Sequence, residues 1–289
     1  MPAVDVRAQS AGFLCGLDLA ADVVANDRLT FDVAYSYQNR NIFNNVPGGN
    51  GSGPGASGHS NFKGNYPEFA RAGYRCVVAD MLGFGLSSKP DIPQYDLDFF
   101  VAGVKGLVDA LGLKDITLVG NSLGGAVSLG YALAYPDEVR RLILMAPGGV
   151  EDLDTYLAMP GIANMFAVYK AGKTGPEAMR EVMRMQLFDP ALLTDEIINE
   201  RAPLATSQTQ AARSVMKVPN MTARLHELRC PVFGFWGVND QFNPVGGAMK
   251  IVQHAPNARM TLVNRCGHWV QVEHREMFNR DCLAFLKHG

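Results

Sequence analysis

The sequence predicts an α/β fold: a mostly parallel sheet flanked by helices and interrupted by a helical insertion. Three observations carry that expectation. Short, continuous apolar runs recur along the chain, helix-like segments separate them, and the alternation stops over one long stretch without a strand. With 289 residues and 47 % hydrophobic side chains, the chain can bury the core of one large domain.

The apolar runs, in order, are residues 74–80 (YRCVVAD), 116–120 (ITLVG), 142–145 (LILM), 232–236 (VFGFW) and 259–263 (RMTLV). A run that is apolar at successive positions suits a strand covered on both faces. Between the first two runs, residues 97–111 carry Phe99, Phe100, Val104, Leu107, Val108 and Leu111. That spacing follows a period of about 3.6 residues and predicts an amphipathic helix. Residues 125–135 and 245–254 also read as helices. Strand and helix in alternation imply a parallel sheet.

From residue 150 to 218 the chain is rich in Met, Ala and helix formers. Pro176 opens a helix that sets Met179, Val182, Met183 and Leu187 on one face. Thr194 caps another, with Asp195 and Glu196 in the first turn, where carboxylates suit the helix dipole. The expected division is a core of residues 1–149 and 219–289 with a helical cap, or lid, at 150–218. Residues 48–58 are rich in Gly and Ser and, lying before a strand, read as a functional loop.

Charge is nearly balanced, with 26 Lys and Arg against 28 Asp and Glu. No basic block offers a surface to nucleic acid or membrane, so neither is an expected partner. No apolar run reaches the roughly 18 residues of a membrane span. The start, MPAVDVRAQSAGFLCGLDLA, lacks the pattern of a signal peptide. Cys15, Cys76, Cys230, Cys266 and Cys282 are scattered and form no C-x-x-C pair. Reduced thiols and a cytoplasmic location are expected, with Cys76 and Cys230 filling core.

Chemistry concentrates in Gly120-Asn121-Ser122-Leu123-Gly124, between an apolar strand and a helix. This is the pattern of a nucleophile elbow. Flanking glycines let the backbone turn tightly, and the serine side chain stands over the end of the sheet. The N–H of Leu123 then points where an oxyanion would form, at a helix N-terminus. A serine hydroxyl needs a base, and in this arrangement the acid and the histidine follow it in the chain. His268, in RCGHWVQVEH, follows a strand near the C-terminus, with His274 as its rival. Asp240 ends PVFGFWGVND, with Asp152 as the alternative acid. A second oxyanion donor is expected from GGNGSGPGASGHSNF, residues 48–62, whose glycines admit backbone N–H groups.

Together these segments resemble the α/β-hydrolase family, and most closely its meta-cleavage product (carbon–carbon bond) hydrolase branch. GSGPGASGHSNF is similar to the family's oxyanion loop, DMLGFGLSSKP to its next strand and turn, and GNSLGG to its elbow. GVNDQFNP resembles the acid segment and CGHWVQVEH the base segment. The resemblance implies the α/β-hydrolase fold with a helical cap, a triad of Ser122, Asp240 and His268, and an oxyanion hole from Ser52 and Leu123. It implies a substrate site with Gly51, Gly53, Asn61, Asn121, Arg201 and Trp269. It also implies a small-molecule carboxylate substrate of the 2-hydroxy-6-oxohexa-2,4-dienoate type, no cofactor or metal, and a homo-oligomer, dimer or higher. Asn50 stands where the family carries the His of a His-Gly pair, which is a departure.

The sequence supports the Arg201 assignment independently. With Thr194 as cap, Arg201 lies four residues after Ile197 and three after Ile198, on the apolar face. A buried guanidinium needs a charge partner. A substrate carboxylate would supply one by a bidentate contact; the alternative is a salt bridge to an acid such as Glu200.

Overall fold

A computed structural model of the chain describes residues 4–11, 18–25, 33–36, 42–45, 57–92, 95–208 and 218–288. The first four of these segments are strands, β1 (Val4–Ala11), β2 (Asp18–Ala25), β3 (Val33–Ser36) and β4 (Ile42–Asn45). β1 and β2 form an antiparallel pair. β3 and β4 join a seven-stranded sheet with β5 (Arg75–Ala79), β6 (Ile116–Asn121), β7 (Val139–Met145), β8 (Val232–Gly237) and β9 (Ala258–Val263). The order is β3-β5-β4-β6-β7-β8-β9, and only β3 runs antiparallel to its neighbour.

Each apolar run is a strand in this sheet, and for all but the edge strand β9, where Arg259 and Leu262 are exposed, the reason lies in which faces are covered. Every residue of β6 and β8 is buried. Leu118, Leu142, Leu144 and Trp236 join one cluster, beneath helices α3 (Leu97–Ala110) and α4 (Leu123–Ala134). The alternate residues Val119, Ile143, Met145, Phe233 and Phe235 join another, with Phe69, Phe278, Cys282 and Phe285 from the opposite face. Two covered faces remove the polar positions that alternation would otherwise show. Cys76 and Cys230 are buried in these cores, and burial pushes their thiols up to about 12 and about 11.

None of the apolar runs marks β1, β2, β3 or β4, and of these β4 is the one with a sheet neighbour on each side that an apolar run does mark. It lies inside the sheet, parallel to β5 on one side and β6 on the other, with Phe43 opposite both Cys76 and Thr117. Two backbone ladders hold it where its own side-chain pattern is weak.

Residues 151–208 contain helices and no strand. They are α5 (Leu153–Leu157), α6 (Pro160–Lys170), α7 (Gly175–Met183) and α8 (Asp195–Thr206). Pro176 stands in the first turn of α7, and the Thr194 hydroxyl accepts the Ile197 N–H at 3.3 Å to cap α8. The expected face of α7 runs on to Leu187, but the helix ends at Met183. A 3-10 turn, Arg184–Gln186, follows it. Leu187 nevertheless joins Met179, Met183, Leu193, Ile198 and Trp269 in one cluster. Met165 packs separately with Val168, Ala178 and Val182. No helix among the described residues is long and apolar enough to cross a membrane.

Candidate active site

The turn from β6 into α4 is built around Ser122. Its backbone has φ 56° and ψ −120°, a left-handed conformation that a non-glycine residue holds only under restraint. The restraint is visible. The Ser122 N–H donates to Met145 O at 3.0 Å, and Ser122 O accepts the N–H groups of Ala126 and Gly148 at 3.1 and 2.8 Å. Gly120 is required by packing, because a Cβ there would lie 2.3 Å from Gly124 O. Ser122 stays half-buried at the sheet's C-terminal end. Leu123 is the first residue of α4, so its N–H is among those left free at a helix start.

The acid and the base come from the loops after β8 and β9. Asp240 Oδ1 accepts the N–H groups of Phe242 and Asn243 at 2.7 and 3.0 Å. Its Oδ2 lies 2.7 Å from His268 Nδ1. A carboxylate oxygen at this distance accepts from an Nδ1–H, the tautomer that in a neutral imidazole leaves Nε2 as the acceptor. Both side chains are buried, His268 at 1 % exposure and Asp240 at 8 %. The Phe242 ring packs against the imidazole at a centroid distance of 5.2 Å. Main-chain bonds fix the same loop: the His268 N–H donates to Gln186 O at 2.8 Å, and Asn121 Nδ2 donates to His268 O at 3.3 Å.

The rival residues stand elsewhere. His274 is bonded through Nε2 to Arg265 O at 3.2 Å, and Asp152 accepts from Asn220 Nδ2 at 2.9 Å. Asp152 is exposed.

A second group of buried polar side chains sits beside this pair. Arg201, on α8, has no solvent exposure. Its Nη2 donates to Asn61 Oδ1, and its Cζ lies 4.6 Å from the centroid of the Trp269 ring. Its Nε and Nη1 have no hydrogen-bond partner among the described residues. Burial pulls the guanidinium down to about 10, opposed by the charge of Glu200. Glu200 does not make the alternative salt bridge to Arg201. Its carboxylate meets Lys63 Nζ at 2.7 Å. Asn61 Nδ2 and Asn121 Oδ1 are also unpartnered among the described residues, and Trp269 is 2 % exposed. Arg201 and Asn61 therefore present open donors and Asn121 an open acceptor, and Asn121 and Trp269 are next in the chain to Ser122 and His268. Such a place suits an anion with acceptor oxygens.

Gly51, Ser52 and Gly53, and Asn50 before them, lie outside the described residues. The helix just after them, α1 (Gly58–Phe62), carries Asn61. Asp80 anchors its start: Oδ1 accepts the Gly58 N–H at 2.6 Å and Oδ2 the Leu86 N–H at 2.8 Å. The sequence marks Asp80 only as the first residue of DMLGFGLSSKP, with no role attached. Gln186 gives no sequence signal, because it acts through its main-chain carbonyl. Among the described residues, no group of three or more His, Cys, Asp or Glu side chains is arranged to hold a metal ion.

The family described as alpha/beta hydrolase fold matches residues 43–275. A 2-hydroxy-6-oxononadienedioate/2-hydroxy-6-oxononatrienedioate hydrolase of Comamonas testosteroni is 36 % identical over 248 residues, covering 83 % of this chain and 86 % of that one. A 2-hydroxy-6-oxo-6-phenylhexa-2,4-dienoate hydrolase of Burkholderia cepacia is also 36 % identical, with the same coverage. Among solved structures, a 2-hydroxy-6-oxo-6-phenylhexa-2,4-dienoate hydrolase from Rhodococcus sp. strain RHA1 superposes with a TM-score of 0.77 at 23 % identity. That match covers 99 % of this chain and 100 % of the other.

Proposed function

The chain belongs to the alpha/beta hydrolase fold family, and we propose that it is a meta-cleavage product hydrolase. It cleaves a C–C bond in a 2-hydroxy-6-oxohexa-2,4-dienoate-type substrate of aromatic degradation. The products are 2-hydroxypenta-2,4-dienoate and a carboxylic acid. The observation that carries the reading is Arg201: a fully buried cation with two nitrogens unpartnered among the described residues, stacked on the residue that follows His268. A simple ester has no anionic end for such a group to meet.

In this reading Arg201, Asn61 and Asn121 bind the carboxylate and enol end and favour its keto form, with Trp269 as a wall. His268, oriented by Asp240, takes the Ser122 proton as the serine acts on the distal ketone. The N–H groups of Ser52 and Leu123 hold the oxyanion, and Gly51 and Gly53 leave room for it. Water supplies hydroxyl to the ketone carbon and a proton to the released carbon. The reaction consumes only water, so no cofactor or metal is called for.

Residues 150–218 act as the cap over a core of 1–149 and 219–289. The cap supplies Arg201 and the core supplies the triad. Buried, unbridged thiols at Cys76, Cys230, Cys266 and Cys282 support a cytoplasmic location. Exposed Leu262 on the edge strand β9, with Met249 and Val252 on the helix Gly246–His254 beside it, supports a dimer or higher assembly.

Bleaching of the dienolate chromophore tests the reading. Ser122→Ala is expected to lower turnover by about a thousandfold or more, since triad members act as a unit. Near-wild-type bleaching by that variant would exclude Ser122 from the chemistry.

A further inference from the structure

The loop that carries His268 is gripped by a second carboxylate besides Asp240, that of Glu273. Glu273 Oε1 accepts the Gly267 N–H at 2.6 Å and lies 3.6 Å from Cys266 Sγ. Glu273 Oε2 accepts the Phe188 N–H at 2.6 Å and the Asp189 N–H at 3.3 Å. One oxygen thus serves the histidine loop, and the other serves the segment that leaves the 3-10 turn Arg184–Gln186.

Across the same seam the His268 N–H reaches Gln186 O at 2.8 Å. The contact is close enough to require glycine at 267, where a Cβ would lie 2.6 Å from Gln186 O and 2.9 Å from Phe188 N. At the acid's loop, the Gly161 N–H donates to Gln241 O at 2.8 Å, next in the chain to Asp240. The helical stretch is therefore bonded to the loop of the acid and to the loop of the base.

We propose that Glu273 is a positioning residue, a latch whose two oxygens hold the helical stretch and the His268 loop in register. It acts on the reaction through His268, without touching substrate. It deepens the hydrolase reading, yet it concerns the base alone and so applies to any substrate of the triad.

The two-sided geometry gives a test. Glu273→Gln keeps the volume and the packing but replaces one accepting oxygen with an NH2 group that faces an N–H. Filling space alone would leave this variant like the wild type. A latch loses one arm. Steady-state rates are measured with 2-hydroxy-6-oxo-6-phenylhexa-2,4-dienoate and with p-nitrophenyl acetate, alongside Tm and circular dichroism.

The expected result is a fall in kcat of about tenfold to a hundredfold on both substrates, from a misplaced base, in a folded protein. Gly267→Ala, which wedges the same seam with Glu273 intact, is expected to do likewise. It decides the matter if the Gln variant does not fold. Wild-type kcat on both substrates in either folded variant overturns the proposal. So does a rise in KM for the dienoate alone with ester kcat intact, which would tie Glu273 to substrate binding. If the wild type leaves the dienoate untouched but its ester turnover falls with Glu273→Gln, the C–C hydrolase reading fails and the latch stands.

Discussion

Arg201 separates a functional role from a structural one more sharply than any other residue in the site. A guanidinium in a structural ion pair is strongly destabilising to remove, by about 3–5 kcal/mol. Arg201 has one neutral amide and one aromatic face as partners, and it is fully buried. Its folded pKa is depressed to about 10. The folded chain therefore binds the proton less tightly than the unfolded chain does. The penalty of the buried charge is present at every pH below about 10 and is relieved as pH rises above it. Arg201→Met should thus hold or raise Tm at neutral pH while the KM for the dienoate rises sharply. A Tm loss of about 10 °C, which is what removing a few kcal/mol does in a domain of this size, would make Arg201 a structural residue. In the wild type, the KM for the dienoate should climb as pH passes about 10 and the cation is lost. At this scale legibility in the sequence follows chemistry. Ser122, Asp240, His268 and Arg201 are marked by side-chain type in a motif or on a helix face. Gln186 contributes a carbonyl that any residue owns, and Glu273 is recognisable only once its two arms are seen.

Among the elements, the β6 turn into α4 bears the tightest geometry. Ala at Gly120 would set its Cβ 2.3 Å from a main-chain oxygen of the elbow, which cannot move without opening the turn. Gly120→Ala should destabilise by roughly 2 kcal/mol or more, the range of overpacked sites, with turnover lost as Ser122 shifts. Gly106 makes the contrast. It lies inside α3, and a Cβ added there would meet nothing within 4 Å. Gly106→Ala should stabilise by about 0.5–1 kcal/mol through helix propensity and leave activity alone. Thermal or denaturant unfolding of both variants checks the pair, and equal effects would mean that packing at the elbow does not govern it. The strands β5 to β8 are legible because burial on two faces writes an apolar run, whereas the edge strand β9 is marked by its run alone, with Arg259 and Leu262 exposed. β4 is not, because its order comes from the ladders of β5 and β6. The end of α7 is also hidden: Leu187 keeps the apolar period beyond Met183, although the backbone there has left the helix.

At the scale of the whole molecule, the sheet is packed between two buried clusters, and the turns after β6, β8 and β9 carry Ser122, Asp240 and His268. The helical stretch meets the rest of the chain at separate points: Gly161 on Gln241, Gln186 on His268, and Glu200 on Lys63 at 2.7 Å. The last of these lies one residue before Arg201, so a surface-facing ion pair helps hold the helix that carries the buried cation. The proposed function needs both parts of this arrangement, Arg201 to bind an anion and Ser122, Asp240 and His268 to act as a triad. To test that union, loss of the dienolate's colour from 2-hydroxy-6-oxo-6-phenylhexa-2,4-dienoate is followed beside nitrophenol release from a p-nitrophenyl ester. Wild type and Arg201→Ala are compared. Fast bleaching is expected from the wild type, and from the variant a loss of bleaching with ester turnover largely kept. Ester cleavage without bleaching in the wild type would contradict the assignment.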